Sequence, residues 1–267
     1  MNGFYGAFLG DIVGSPFEEA RMAKSNFPLF SKLSHITDDS VLTTATMDLL
    51  LKGAIQNDDH VSIAAEYRRW AKKFPNAGYG WYFISWLDHP GAGACGSEGN
   101  GAAMRVSPVA YLAKSKEECI RFAKSSASVT HNTAEGSKGA ESIALLTYLA
   151  LHGATKEEIR QSACTYYPKI ERGYSSLIRN AVPTALAKDT VPEAIAAFLE
   201  SCTFEDCIRK AVLVGGDTDT LASMAGSLAG AYYGIEDSLI EEVLKRMDDD
   251  EMLQTLAKFV KKCRLAK

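Results

Sequence analysis

Two short acidic motifs, each directly before an apolar helical pattern, are the part of the sequence best suited to chemistry. The first is TDDS at 37–40 and the second is GGDTDT at 215–220. Each supplies two carboxylates and a threonine hydroxyl, hard oxygen donors that suit Mg²⁺ or Mn²⁺, whereas zinc prefers His and Cys. Each motif can equally be a helix N-terminus, where acids satisfy free amides and suit the helix dipole.

The two motifs together favour a metal site more strongly than either motif does alone. Four carboxylates that converge without cations repel and raise one another's pKa, and two divalent ions about 3.5–4 Å apart would relieve that repulsion. A third acid, Glu18, follows a Gly-Ser-Pro turn in GDIVGSPFE at 10–18, and it is either a cleft acid or a solvated loop residue. The spacing leaves open whether these acids meet.

Helices must position the acids, because most of the chain is patterned at the helical period and strong strand alternation is absent. Apolar residues fall on one side of 39–52 and of 61–74. Further helical patterns cover 116–128, 137–152, 155–165, 174–187, 192–200, 205–213, 219–233, 236–247 and 250–264. The longest irregular stretch, 75–107, is rich in Gly and aromatics, as functional loops often are. We expect one all-α domain over residues 1–267, with about ten or more helices.

Composition limits the classes of function. The chain has 29 Lys and Arg against 33 Asp and Glu, a formal net charge of −4, which excludes a strongly basic nucleic-acid binder. No apolar run reaches the roughly 18 residues of a membrane span, so we expect no membrane association. The six cysteines match neither a zinc site nor a disulfide framework, which favours a reducing cytoplasm. A monomer is the default expectation.

Five elements of the chain resemble, in order, the motifs of the ADP-ribosylglycohydrolase family. They are GDIVGSPFE at 10–18, TDDS at 37–40, YGWYFISWL at 79–87, GSEGNGAAMRVSPVA at 96–110 and GGDTDT at 215–220. The resemblance implies one compact all-α domain of orthogonal helices, with a binuclear Mg²⁺ or Mn²⁺ centre in a cleft. It also implies a substrate that contains ADP-ribose, expected to be an ADP-ribosylated protein.

The resemblance assigns roles to individual positions. The metal ligands would be Thr37, Asp38, Asp39, Asp217, Asp219 and Thr220. The catalytic set would be Glu18, Asp38 and Asp219, of which Glu18 matches a carboxylate beside the metals. The substrate-binding set would be Tyr79, Gly80, Gly96, Ser97, Gly99, Asn100 and His131. Residues 96–100 of this set match the loop that holds the diphosphate and the distal ribose.

The residues themselves support these roles in part. A Gly-Ser-x-Gly-Asn loop exposes backbone amides that suit a diphosphate, although an ordinary turn has the same composition. Arg105 lies in an apolar run and is expected to be a buried, paired, structural arginine. Trp81 is the aromatic we would place against adenine. Thr133 and Glu98 depart from the family pattern, at positions that concern the leaving group and the grip on the distal ribose.

The leading hypothesis is hydrolysis of an N- or O-glycosidic bond at the anomeric carbon of ADP-ribose, through an oxocarbenium-like state. Arginine is the favoured leaving group, and Glu18 would act as general acid or base or as a metal ligand. A metal-dependent nucleotide phosphohydrolase could use the same carboxylates. A non-catalytic ADP-ribose-binding or structural protein is the third alternative, and the intact acidic motifs argue against it.

Overall fold

The computed structural model describes residues 2–18 and 25–265. Within those ranges the chain forms fourteen α-helices and no strand, so the expected all-α class is confirmed. The helices are α1 Tyr5–Gly14, α2 Asp38–Lys52, α3 His60–Lys73, α4 Trp81–Asp88, α5 Gly101–Met104, α6 Lys116–Ser128, α7 Ala134–Leu151, α8 Lys156–Tyr166, α9 Tyr174–Arg179, α10 Ala187–Glu200, α11 Phe204–Val212, α12 Thr218–Tyr233, α13 Asp237–Arg246 and α14 Asp250–Leu265. Among residues 2–18 and 25–265, none of the helices combines the length and the hydrophobicity of a transmembrane span.

Helix α12, which begins at the second acidic motif, forms the centre of the packing. It lies against α1, α7, α10 and α11, and every residue from 218 to 230 is buried. A helix buried on all sides needs small or apolar residues all round, which the Gly, Ala and Ser content of LASMAGSLAGA supplies. Its N-terminal acids are therefore carried into the interior.

Glycines allow α1 and α12 to approach more closely than side chains would permit. An ideal Cβ on Gly6, Gly10 or Gly14 would lie 2.0, 1.9 or 2.4 Å from a carbonyl oxygen of α12. Those oxygens belong, in that order, to Gly226, Ala222 and Thr218. The contacts run antiparallel, so this glycine seam brings the C-terminal end of α1 against the N-terminal end of α12.

The sequence pattern does not predict α1, and the seam explains why. Three of its ten residues are glycines, each of which disfavours a helix by roughly 1 kcal/mol relative to alanine. Nine of its ten residues are buried. The close packing against α12 compensates for the poor helix propensity of the glycines. The glycines stabilise the fold through contacts with α12, which is distant in the sequence, so the local pattern of α1 does not reveal them.

Two other segments differ from the sequence expectation. The helix expected over 174–187 ends at Arg179, and the next helix begins at Ala187 rather than at 192. Pro183 has no amide hydrogen to continue the helix, and the backbone after it pairs instead with the loop at 98–100. The stretch 75–107, expected to be irregular, contains the short helices α4 and α5.

Candidate functional site

The ends of three helices and three loops enclose a cleft of about 740 Å³. Its acidic floor comes from the chain just after α1 and from the N-terminal ends of α2 and α12. Its walls come from residues 78–83, 96–101 and 183–186. This volume lies within the range of sites that bind drug-sized ligands and cofactors.

The two acidic motifs meet at the floor of this cleft. Glu18, Asp217 and Asp219 each offer a carboxylate oxygen, and the three oxygens lie within 4.8 Å of one another. Asp38 lines the same cleft, and Asp39 Oδ2 accepts a hydrogen bond from the Thr220 hydroxyl at 3.0 Å. We call Glu18, Asp38, Asp39, Asp217 and Asp219 the acid cluster. The sequence spacing left this convergence open.

The second motif is shaped by backbone conformation and by a distant amide. Gly215 and Gly216 have φ values of +82° and +77°, the left-handed region that glycine tolerates best. Asp217 occupies the N-cap of α12 but makes no side-chain cap bond. Its Oδ2 accepts instead from Asn100 Nδ2 at 2.7 Å, and the same Asn100 amide reaches Thr190 Oγ1 at 3.2 Å. Asn100, assigned to the substrate by resemblance, therefore holds Asp217 with its amide.

The first motif is organised by Asp11, which is fully buried in α1. Its carboxylate accepts hydrogen bonds from the Thr37 amide at 3.0 Å, the Thr37 hydroxyl at 2.8 Å, the Ser40 amide at 3.1 Å and the Ser40 hydroxyl. Thr37 also caps α2, because its hydroxyl oxygen accepts from the Asp39 amide at 3.3 Å. One lone pair of that oxygen remains for a cation. Sequence reasoning did not single out Asp11, and the available signal was an acid within the apolar pattern YGAFLGDIVG.

The acid cluster is electrostatically strained without cations. Burial raises the pKa of Asp38, Asp39 and Asp219 well above the ordinary range, and neighbouring carboxylates of the site raise each pKa further. Burial also raises the pKa of Asp11, against its four hydrogen bonds. Asp39 Oδ1 is buried with no hydrogen-bond partner in the described chain. A bound divalent cation would relieve the repulsion and satisfy that oxygen, so the donor set fits a metal ion.

The loop at 96–101 is held in shape by bonds within the protein. Gly96 has a φ of +66°, and the amides of Ser97, Gly99 and Asn100 donate to internal acceptors at 3.4, 3.1 and 2.9 Å. The Thr133 hydroxyl donates to Ser97 O at 2.8 Å while it caps α7. Thr133 thus ties the loop to α7, and those three amides are already used.

His131 lines the cleft beside this loop and is 4% exposed. Its Nδ1 lies 2.8 Å from Thr130 Oγ1, which accepts a hydrogen bond from Arg105 Nη2 at 2.8 Å. Burial and the nearby Arg105 hold the pKa of His131 well below its usual range. Arg105 is buried as expected, but the expected pairing is wrong: its guanidinium lies 4.1 Å from the Tyr67 ring centroid and forms no ion pair with a described residue.

The aromatic run at 79–86 divides between the cleft and the core. Gly80, Trp81 and Tyr82 line the cleft, and Trp81 is 73% exposed. Tyr79 is buried with its ring stacked on Phe83, the centroids 5.3 Å apart. Of this pair assigned to substrate by resemblance, Gly80 lies on the lining and Tyr79 supports it from behind.

Sequence comparison finds similarity to enzymes that remove ADP-ribose. The family model of ADP-ribosylglycohydrolase matches residues 1–267. The ADP-ribosylhydrolase ARH3 of Mus musculus is 31% identical, with 86% of this chain and 82% of the relative covered. The ADP-ribosyl-[dinitrogen reductase] glycohydrolase of Rhodospirillum rubrum is 24% identical over 89% of this chain and 86% of its own length.

Two further similarities concern one bacterial enzyme and one solved structure. The ADP-ribosylarginine hydrolase Tri1 of Pseudomonas putida (strain GB-1) is 31% identical over 60% of this chain and 44% of its own length. A solved structure described as an ADP-ribosylglycohydrolase-related protein complex superposes with a TM-score of 0.68 at 26% identity. It covers 99% of this chain and 94% of that chain.

Proposed function

The chain belongs to the ADP-ribosylglycohydrolase family, and from this membership we propose that its cleft hydrolyses the glycosidic bond at the anomeric carbon of an ADP-ribosylated substrate. The observation that carries the proposal is the meeting of both acidic motifs in one cleft. Asp38 of the first motif lines it together with Asp217 and Asp219 of the second, and Asp39 Oδ2 accepts a hydrogen bond from the Thr220 hydroxyl at 3.0 Å. The cleft volume, about 740 Å³, accommodates a nucleotide diphosphate.

We further propose that the acid cluster holds two Mg²⁺ or Mn²⁺ ions. The proposed ligands are Thr37, Asp38, Asp39, Asp217, Asp219 and Thr220. When bound, the ions would polarise oxygen ligands and lower the pKa of a water molecule. Support comes from the hard oxygen donors, from the raised pKa values and from the unpartnered Asp39 Oδ1.

The remaining residues divide the work of positioning and proton transfer. Glu18 follows the turn after α1 and shares the cleft with Asp217 and Asp219, so we propose that it exchanges a proton with the attacking water or the leaving group. The glycosidic bond would break through an oxocarbenium-like state on the ribose. His131 and the loop at 96–100 fix the diphosphate, the loop through the Gly96 and Glu98 amides, which donate to no described residue. This contact orients the anomeric carbon.

We propose arginine as the favoured leaving group. Glu98 is exposed on the cleft lining, and Tyr82 is exposed on the loop at 78–83, next to the Trp81 that we place against adenine. A guanidinium group pairs with carboxylates and lies over aromatic faces, so these residues suit a cationic aglycone. A panel of arginine-, serine- and O-acetyl-linked ADP-ribose, each assayed with Mg²⁺ and with Mn²⁺, tests the assignment. Faster release from serine than from arginine would overturn it.

Two substitutions test the reaction itself. Asp38→Asn and Asp219→Asn should each nearly abolish metal-dependent release of ADP-ribose, measured by chromatography of the products. The control is Asp88→Asn, which removes the same charge from an exposed position at the end of α4. Unchanged turnover in both cleft variants would refute the proposed metal centre.

The identity of the product separates the alternatives. ADP-ribose as the released product means glycosidic cleavage, whereas AMP or free phosphate would mean a phosphohydrolase. Binding of ADP-ribose without turnover on any linkage would favour a non-catalytic role. We also propose that the protein is a monomer made of one domain. We further propose a cytoplasmic location, which agrees with the six cysteines being free.

A further inference from the structure

A chain of three side chains leads from the interior to the cleft. Arg105 Nη2 donates to Thr130 Oγ1 at 2.8 Å, and Thr130 Oγ1 lies 2.8 Å from His131 Nδ1. Arg105 and Thr130 have no exposed surface, and both Arg105 and His131 line the cleft. Nε2 is on the side of the imidazole that faces Gly99 and Gly101 of the cleft lining, where ideal Cβ atoms would lie 3.8 and 3.2 Å from it.

The direction of each hydrogen bond in this chain follows from the inventory of donors. A guanidinium group can only donate, so the Thr130 oxygen must accept from Arg105. The second lone pair of that oxygen could accept from a protonated Nδ1, but the Thr130 hydroxyl hydrogen would then have no acceptor among the described residues. Since His131 Nδ1 is the one acceptor within reach, we infer that Thr130 donates to it. A nitrogen that accepts carries no hydrogen in the neutral ring, which places the hydrogen on Nε2.

We propose that Arg105 and Thr130 are positioning residues that fix His131 as a neutral imidazole donating its Nε2 hydrogen into the cleft, to an oxygen of the substrate's diphosphate or distal ribose. Only the identity of that oxygen rests on the proposed function. The tautomer is a property of the protein alone, and it makes His131 a fixed hydrogen-bond donor rather than a proton carrier.

The charges around His131 agree with a neutral ring. Arg105 approaches from the end of α5, and its positive charge opposes protonation, as burial also does. The same cleft lining carries five acids, Glu98 on the neighbouring loop and Glu18, Asp38, Asp217 and Asp219 at the floor. Glu98 is exposed to solvent, and Asp217 is bound by the Asn100 amide. Burial and Arg105, rather than these acids, set the low pKa of His131.

The arrangement also accounts for an unusual arginine. Arg105 is 0% exposed, and its Nε and Nη1 have no hydrogen-bond partner among the described residues. A buried charge without an acid partner is costly, and an apolar residue of similar size is often tolerated as well or better. A purely structural arginine would therefore be a poor choice here, whereas a fixed cation beside His131 has a consequence for the cleft.

The tautomer is measured by nitrogen NMR of histidine-labelled protein without substrate. His131→Gln identifies the His131 signals among those of the five histidines. We expect a hydrogen-free Nδ1 and a protonated Nε2, unchanged from pH 8 to pH 5. Thr130→Ser keeps the hydroxyl and should keep the pattern, whereas Thr130→Val should lose the single tautomer. A hydrogen on Nδ1, or titration of His131 near its ordinary pKa, would overturn the proposal.

Arg105→Met separates positioning from a structural role. We expect this variant to fold with its thermal stability retained, and its His131 to lose the single tautomer, because the Thr130 oxygen can then accept from Nδ1. If His131 in Arg105→Met keeps the hydrogen on Nε2 alone, Arg105 does not fix the tautomer and the proposal is overturned.

Kinetics test the part that depends on substrate. Thr130→Val should raise KM about tenfold, the factor of one weakened hydrogen bond, with little change in kcat, and Thr130→Ser should restore KM. A fixed Nε2 hydrogen combined with an unchanged KM in Thr130→Val would overturn the contact between His131 and the substrate. Failure of the wild-type protein to release ADP-ribose would instead overturn the proposed function, and the NMR result would stand.

Discussion

Replacing Gly10 with alanine tests whether the glycine seam sets the geometry of the acid cluster. An ideal Cβ at Gly10 would lie 1.9 Å from Ala222 O, whereas real Cβ contacts essentially never fall under 3.0 Å. The two backbones must therefore separate by about 1.1 Å at this point. The obstacle is backbone, which cannot rotate away as a flexible side chain would.

Two effects of opposite sign determine the change in stability. Alanine favours the helix by roughly 1 kcal/mol over glycine. Overpacking costs about 1–3 kcal/mol, and more where the backbone must move. We expect a net loss of about 2 kcal/mol in the free energy of unfolding, or about 4–8 °C in Tm for a chain of this size.

The same displacement should reach the proposed metal site. The seam continues to Gly14, where an ideal Cβ would lie 2.5 Å from the Asp219 Cα. Designed and natural sites hold their ligands to within about 0.5 Å, so a shift near 1 Å should weaken Mn²⁺ binding about tenfold or more. Urea unfolding and calorimetric titration with Mn²⁺ measure the two effects.

Gly91→Ala is the matched control, because nothing lies within 4 Å of an ideal Cβ at that loop position. It should change stability by less than about 0.5 kcal/mol and leave Mn²⁺ affinity unaltered. If Gly10→Ala is instead stabilised by the gain in helix propensity and binds Mn²⁺ normally, the seam does not set the position of the acids.

Three further expectations follow from the site. Asp11→Asn turns an acceptor oxygen into a donor that faces other donors, so it should lower Mn²⁺ affinity about 10–100-fold by calorimetry; unchanged affinity would contradict its positioning role. The raised pKa values of Asp39 and Asp219 stabilise the metal-free fold below the ordinary carboxyl range, and this contribution is lost as pH rises through the raised values. Mg²⁺ should therefore raise Tm more at pH 8 than at pH 5, and an equal increase would argue against cation binding by these acids. Thr133→Ala removes the α7 cap and the bond to Ser97 O, which should cost about 1–2 kcal/mol in urea unfolding, whereas serine should retain most of it.

The sequence predicted best what is local to one segment. The starts of α2 and α12, expected at 39 and 219, lie at Asp38 and Thr218, because each acidic motif precedes a strong apolar pattern. Glycine pairs are suited to positive φ, and both Gly215 and Gly216 adopt it. Capping and turn chemistry operate over a few residues, and a single sequence displays them directly.

Contacts between distant segments were beyond sequence reasoning. Asp11 binds Thr37 across 26 positions, and Asn100 binds Asp217 across 117. Neither pair shares a local pattern, because hydrogen bonds between segments depend on how the helices pack. The pairing of Arg105 failed for the same reason: burial was predictable from the apolar run, whereas its partner was an aromatic ring and a hydroxyl.

The antiparallel seam also has a consequence for the order in which the site forms. Gly14 O accepts a hydrogen bond from the Thr218 hydroxyl, 204 positions later in the chain. While the protein is being synthesised, the acids of the first motif have no second motif to meet until α12 has been made. Contacts at such separation also carry a high entropic cost and form late. The proposed cation site is thus completed only in the last steps of folding, and a chain that ends before α12 would contain the ligands of the first motif alone.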